Sequence, residues 1–278
     1  MNGAAAMLAA LAAMTSFATV SDAKEQDPHI ETSVCGSKQP PIPAYPEDLP
    51  APPSEPSPYH PARGMGMELD LGIGAVGPAD EPEMGADWVP AVELPLFDSP
   101  GGRVAGWIAN GWWVHAATPP ERLDTEGMVE TGYETASWIA LEESGGGWIR
   151  IRFESAAASG QDGSAWASVC HLSASDPPLA FRRWEERLGD LLFFRTRSAH
   201  ALRAGPGITR VRRSWIRAEE DPMLERLDVR GDWMRVRVTR PSTYCVAEAS
   251  VEPRVEEGWI RWWDEEMGPW VWYFTRGC

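Results

Sequence analysis

The chain has 278 residues, of which 43% are hydrophobic, 24% charged and 10% aromatic, and its formal net charge is -16. The hydrophobic content excludes wholesale disorder and a polytopic membrane protein. The acidity speaks against a nucleic-acid binder, which needs a basic face to neutralise phosphates. Fifteen Trp stand beside five Tyr and seven Phe, so Trp is the dominant aromatic. Lys24 and Lys38 are the only lysines. Such an Arg bias, with abundant Ala and Gly, reads first as high-GC coding and only second as an Arg surface for carboxylates or phosphates.

Residues 1–23 read as a secretory signal. An apolar run covers 4–20, and Ser21-Asp22-Ala23 sets small residues where signal peptidase cuts, after Ala23. The run lacks a preceding Lys or Arg, and an uncleaved hydrophobic arm is the alternative. It is too short and Ala-rich for a membrane span, which needs about 20 apolar residues. The expected location is the bacterial periplasm or the medium. The four cysteines, Cys35, Cys170, Cys245 and Cys278, then favour disulfides. Three pairings are open; one staples Cys245 to Cys278 and leaves Cys35–Cys170 to tether the arm. No two cysteines are close in sequence, so neither a zinc knuckle nor a redox motif is present, and no metal or cofactor is expected.

Residues 24–87 read as a disordered, Pro-rich acidic arm. Ten prolines fall between 40 and 61, which predicts an extended polyproline-II spacer. The arm carries twelve acidic against three basic residues, so most of the negative charge lies here. Met67–Ile73 alternates apolar and polar residues and predicts one strand. From Trp88 onward, short apolar runs alternate with Gly, Pro, Asp and Asn. Trp148–Phe153 and Trp233–Val238 alternate apolar residues with Arg, the pattern of half-buried antiparallel strands. Pro177–Asp190 places Leu179, Trp184, Leu188 and Leu191 near helical spacing, with Asp176 as cap, and predicts a short linking helix over 176–190. The expected fold is all-β, with one small barrel over 88–175 and another over 191–278.

The two halves echo each other. Leu96–Gly102 and Leu202–Gly207 each run a strand into a Pro-Gly turn. Residues 140–152 match 225–237, an apolar strand, a tight turn, then Trp followed by X-Arg-X-Arg. A third element, 164–169 and 257–263, opens a strand on Trp in both halves. This order resembles the bacterial SH3 (SH3b, Src-homology-3-like) domain over about 92–172 and 191–273. Gly147-Trp148, Asp232-Trp233 and Gly258-Trp259 carry the resemblance. Both copies are longer than usual for that family, with insertions near 116–136 and 239–256, and Asp-Trp replaces Gly-Trp in the second copy. The resemblance implies two tandem SH3-like barrels and a non-catalytic module that binds cell-wall peptide or peptidoglycan. Trp148, Trp233 and Trp259 are expected to pin turns by filling the barrels.

Catalytic constellations are weak. Cys170-His171 would point to opposite faces of a strand, with the His exposed. Glu142-Glu143, Glu219-Glu220-Asp221 and Asp264-Glu265-Glu266 fall at expected turns, so a carboxylate-dependent secreted hydrolase ranks last. The ligand candidates are the adjacent pairs Trp112-Trp113 and Trp262-Trp263, which put one ring on each strand face, with Arg150 and Arg261 beside them for carboxylates. The alternative is a structural or protein-interaction role, in which the Pro-rich arm or a barrel surface docks an envelope protein, or the arm folds back on its own chain.

Overall fold

The computed structural model describes residues 35, 42–55, 71–80, 88–116, 119–124, 128–132, 135–155, 163–189, 191–194, 199–243, 252–266 and 268–272. The expected signal segment, Cys245 and Cys278 lie outside the described residues. Within them the protein is all-β, with a single short α-helix, Val169–Ala174.

Ten strands build the first sheet: β1 (Gly74–Pro78), β2 (Glu93–Phe97), β3 (Val104–Ala109), β4 (Trp112–Val114), β5 (Glu121–Asp124), β6 (Met128–Gly132), β7 (Thr135–Ser144), β8 (Trp148–Ser155), β9 (Gly163–Ser168) and β10 (Leu179–Arg183). Their order is β10-β1-β7-β8-β5-β4-β3-β2-β9, with β6 on β7. Strand β9 also pairs with β8. The path β8-β5-β4-β3-β2-β9 therefore returns to β8, a closed circuit that removes edges. The second sheet takes β11 (Leu191–Phe194), β12 (His200–Arg203), β13 (Arg212–Ile216), β14 (Met223–Arg230), β15 (Trp233–Arg240) and β16 (Arg254–Arg261). A two-stranded pair, β17 (Trp263–Asp264) and β18 (Gly268–Pro269), precedes the last strand, β19 (Val271–Trp272). The second sheet runs β13-β12-β16-β15-β14-β11-β19, an open order.

The alternation in β15 explains its place. Met234, Val236 and Val238 are fully buried, while Trp233, Arg235 and Arg237 face outward. Arg237 stands in register between Glu225 of β14 and Glu257 of β16 and pairs with both, at 2.7 and 3.1 Å. In the first half Arg150 lies opposite Glu142 and pairs with it at 3.1 Å. Arg150, Arg235 and Arg237 of the repeated X-Arg-X-Arg pattern thus make cross-strand ion pairs on an outer face, while Arg152 is buried.

Two expectations are corrected. Residues 176–190 do not form a helix: Leu179–Arg183 is the edge strand β10, followed by one 3-10 turn at Glu185–Arg187. Pro178 biases Pro177 away from helical backbone angles, and pairing of Leu179–Arg183 to β1 satisfies the backbone as a strand instead. The spacing that suggested a helix serves burial: Leu179, Trp184 and Leu188 are all in cores. Nor is the whole of 24–87 a disordered arm. Its strand falls at Gly74–Pro78, after the predicted stretch 67–73, and lies buried between β7 and β10. Gly72 makes this approach possible. It sits at φ 55°, and a Cβ there would stand 2.1 Å from the Ala140 carbonyl oxygen.

The cores show how the halves join. Val76 of β1 and Trp138 of β7 point into the first core, with Leu94, Ile108 and Ile151. Their chain neighbours Ala75 and Ile139 point into the second, with Leu202, Met234 and Trp272. Strands β1 and β7 form a wall buried on both faces, which is why β1 reads as an unbroken apolar run. Trp184 locks the wall by donating its Nε1–H to the Leu71 carbonyl at 2.9 Å.

Candidate functional site

The β3–β4 hairpin turns on Asn110-Gly111, both at positive φ, 54° and 77°. Asn-Gly is the favoured two-residue turn because its twist matches the strands. The register places Ile108 opposite Trp113 and Ala109 opposite Trp112. Trp113 therefore faces the core, its ring lying over Gly106, where a Cβ would be 2.5 Å away, and packing on Phe153 at 4.7 Å. Trp112 takes the opposite face, with Trp107.

That outer face is covered by the Pro-rich arm. The Nδ2 of Asn110 donates to the Pro53 carbonyl at 2.7 Å, and the Nε1–H of Trp112 donates to the Glu55 carbonyl at 3.1 Å. Tyr45 packs on Trp107 with ring centroids 5.4 Å apart, and its hydroxyl donates to the Pro50 carbonyl at 2.6 Å. Burial, followed by the nearby Glu93 charge, pushes the Tyr45 phenol above its usual range. Trp107 is 2% exposed, although it belongs to neither core cluster. Upstream, Cys35 is bonded to Cys170, with Cα atoms 5.5 Å apart. The arm thus stays on the body of the protein at a point the cysteine count alone left open.

Cys170 and His171 lie on the short helix, capped by Ser168, and both are buried. This corrects the expected strand with an exposed His: the ring of His171 stacks on Phe97 at 5.6 Å.

Two clefts among the described residues take lining from the second half. One, of about 260 Å³, is lined chiefly by His200, Arg203, Ile208, Trp233, Arg261 and Trp270. It opens where β12, β16 and β15 run side by side, with Trp233 and Arg261 in register. The His200 ring stacks flat on Phe194, 4.0 Å away and 4° from parallel, and meets the edge of Trp270 at 5.7 Å. Burial lowers its pKa to about 4, so the imidazole is neutral at pH 7. Arg203 donates to the carbonyls of Ile208 and Arg210, and Arg261 pairs with Asp264 at 3.2 Å. The other cleft, about 300 Å³, is lined by Arg183, Trp184, Glu185, Asp232, Trp262 and Trp263 among others. Trp262 is buried there and donates to the Gly231 carbonyl at 2.7 Å.

The structure separates the candidates chosen from sequence. Trp262 and Trp263 share a cleft, with rings 5.6 Å apart. Arg261 belongs to the other one, with Trp233 and Trp270. Trp113 is core, Trp112 is engaged by the arm, and Arg150 lines neither cleft, bonding Ser164 and Glu142 instead. Of the expected pins, Trp259 is buried, whereas Trp148 and Trp233 are only half-buried. Both share the strand parity of the outward Arg residues, and Trp233 lines a cleft. His200, Arg203, Trp107 and Asn110 were not singled out as site residues. The Asn-Gly pair was a readable turn signal, but nothing local marks which strand face a distant segment will cover.

Each acidic cluster has at least one carboxylate paired with Arg. Glu142 pairs with Arg150, Glu143 with Arg183, Glu220 with Arg240, and Asp264 with Arg261. Among the described residues, no group of three or more His, Cys, Asp or Glu is placed to hold a metal ion, and no helix is long and apolar enough to cross a membrane. No protein-family model, curated protein or solved structure matches this chain.

Proposed function

We propose that this protein is an exported, non-catalytic binding module of the bacterial envelope, built of two divergent SH3b-like halves, and that it takes up a carboxylate-bearing cell-wall peptide or peptidoglycan. The observation that carries this reading is the cleft in which Trp233 and Trp270 meet Arg203 and Arg261. Indole faces stack on sugar rings or extended peptides, and guanidinium groups bind carboxylates with two parallel hydrogen bonds. A neutral His200 adds a polar ring without a competing charge. Binding is favoured over hydrolysis because at least one carboxylate of each acidic cluster is ion-paired with Arg, whereas a glycosidase needs one of its pair protonated.

Retention on purified cell-wall sacculi tests the reading. The parent protein is expected to sediment with them, and Trp233→Ala and Arg261→Ala to cut retention at least fivefold. A parent that stays in solution, or variants retained as well as the parent, would overturn it.

A further inference from the structure

The cleft of about 300 Å³ takes its lining from both halves of the chain. Strand β10 and the turn after it supply Arg183, Trp184 and Glu185, the β14–β15 turn supplies Asp232, and Trp262 and Trp263 complete the wall. Most of that wall is indole. Trp184 and Trp262 are buried, and Trp263 is half-buried, with its ring 5.6 Å from that of Trp262 and tilted by 54°. The N–H groups of Trp184 and Trp262 are already spent on main-chain carbonyls, those of Leu71 and Gly231. These two rings therefore offer the cleft apolar and π surface rather than hydrogen-bond donors.

The uncompensated charge of the cleft is negative. Its one cation, Arg183, is paired with Glu143, and the Arg183 main-chain N–H donates to the Glu186 carboxylate. The carboxylates of Glu185 and Asp232 differ from those of Glu142, Glu143, Glu220 and Asp264, each of which has an Arg. Neither Glu185 nor Asp232 makes an ion pair or a side-chain hydrogen bond among the described residues. Open carboxylates beside indole faces complement a cation. The carboxylates accept its N–H groups, and a ring attracts it within about 6 Å of the centroid. The same arrangement repels carboxylates and phosphates. A primary alkylammonium suits the cleft, because its aliphatic stem lies along the indoles while its head reaches the carboxylates. A metal ion suits it less, since no group of three or more His, Cys, Asp or Glu is placed to hold one among the described residues. We infer that the Trp262–Trp263 cleft binds a primary alkylammonium group, carried by a lysine side chain of a partner chain or by a free aliphatic amine. The cleft shares no lining residue with the one formed by Trp233 and Trp270, and each site stands or falls separately.

Two probes, pentylamine and an end-blocked Gly-Lys-Gly peptide, are titrated into the isotope-labelled full chain, and the indole N–H resonances are followed by NMR. Trp263→Phe assigns the Trp263 resonance. At least one probe is expected to shift that resonance saturably. Asp232→Asn and Glu185→Gln are each expected to weaken binding at least threefold, and together at least tenfold. Circular dichroism and the urea midpoint confirm that the double variant is folded like the parent. Acetylating the lysine Nζ, which keeps the stem and removes the charge, is expected to abolish the shift. Tighter binding of the peptide identifies a protein chain as the source of the amine, and tighter binding of pentylamine identifies a free amine. No saturable shift with either probe, or a shift that the acetylated peptide reproduces or the double variant retains, would overturn the inference.

Discussion

Arg240 on β15 pairs with Glu256 on β16, and its side chain is only 8% exposed. The same guanidinium donates to Glu220 at 2.7 Å and to the Trp215 carbonyl at 2.9 Å. One buried cation therefore joins β13, the turn before β14, β15 and β16. A buried ion pair is weak evidence for net stabilisation, but removing one partner strands the other. Arg240→Met is expected to lower stability by about 3–5 kcal/mol, checked by urea unfolding. Arg240 also sets part of the acid response. Its hydrogen bond is the main cause that holds the Glu220 carboxyl below its ordinary value. At Glu256, burial acts to raise the pKa, but Ser214, Arg254 and Arg240 together outweigh it. Carboxyls lowered in the folded state contribute stability that is present above their unfolded value and lost as pH falls through the folded one. The parent is expected to lose stability below about pH 4.5, and Arg240→Met to show a flatter dependence there.

His200 produces a second acid dependence at higher pH. Its folded pKa is about 4, against 6.5 for the free side chain. Above pH 6.5 both states are neutral and His200 contributes nothing. As pH falls from 6.5 to 4 the unfolded chain takes up a proton that the folded chain refuses, so stability drops. The full effect is about 3 kcal/mol. Thermal unfolding from pH 7 to pH 4.5 is expected to show the decline, and His200→Phe to remove it while keeping a ring against Phe194. Ring-proton NMR would contradict this if His200 titrated near 6.5 in the folded protein.

The Cys35–Cys170 bond closes a long loop, with a sequence separation of 135. Cross-links of that reach act largely by restricting the unfolded chain. Cys35→Ser is expected to cost about 2–5 kcal/mol. Peptide mapping without reduction is expected to recover the fragment that joins Cys35 to Cys170. Finding Cys170 joined to another cysteine would refute the connection.

Gly72 tests the wall between the two cores. Alanine there would set its Cβ against the Ala140 carbonyl and hold a left-handed φ of 55°. Gly72→Ala is expected to cost about 2 kcal/mol or more, read as a lower urea midpoint at unchanged slope.

The sequence by itself determined the elements with a local cause. Alternation in 148–153 and 233–238 marked strands because side chains on a strand change face at every residue. Glycine and Asn-Gly marked turns because positive φ is cheap there. Export, the SH3b resemblance and the ligand remain readings of the sequence. Tertiary structure decided the rest. The stretch 176–190 carried a helix-like spacing, yet the unpaired edge of β1 drew Leu179–Arg183 into a strand, since a buried backbone must find partners. Adjacency on a strand put the Trp112 and Trp113 rings on opposite faces but did not say which face stays bare, whereas Trp262, which lies between strands, shares a cleft with Trp263. Trp112 and Trp113 differ because one side of the hairpin met a core and the other met the carbonyls of Pro53 and Glu55, more than fifty residues upstream. The excess of Trp that stands out in the composition is thus divided by long-range contact into core, clasp and cleft. No local pattern encodes that division, because burial is a property of what arrives from elsewhere in the chain.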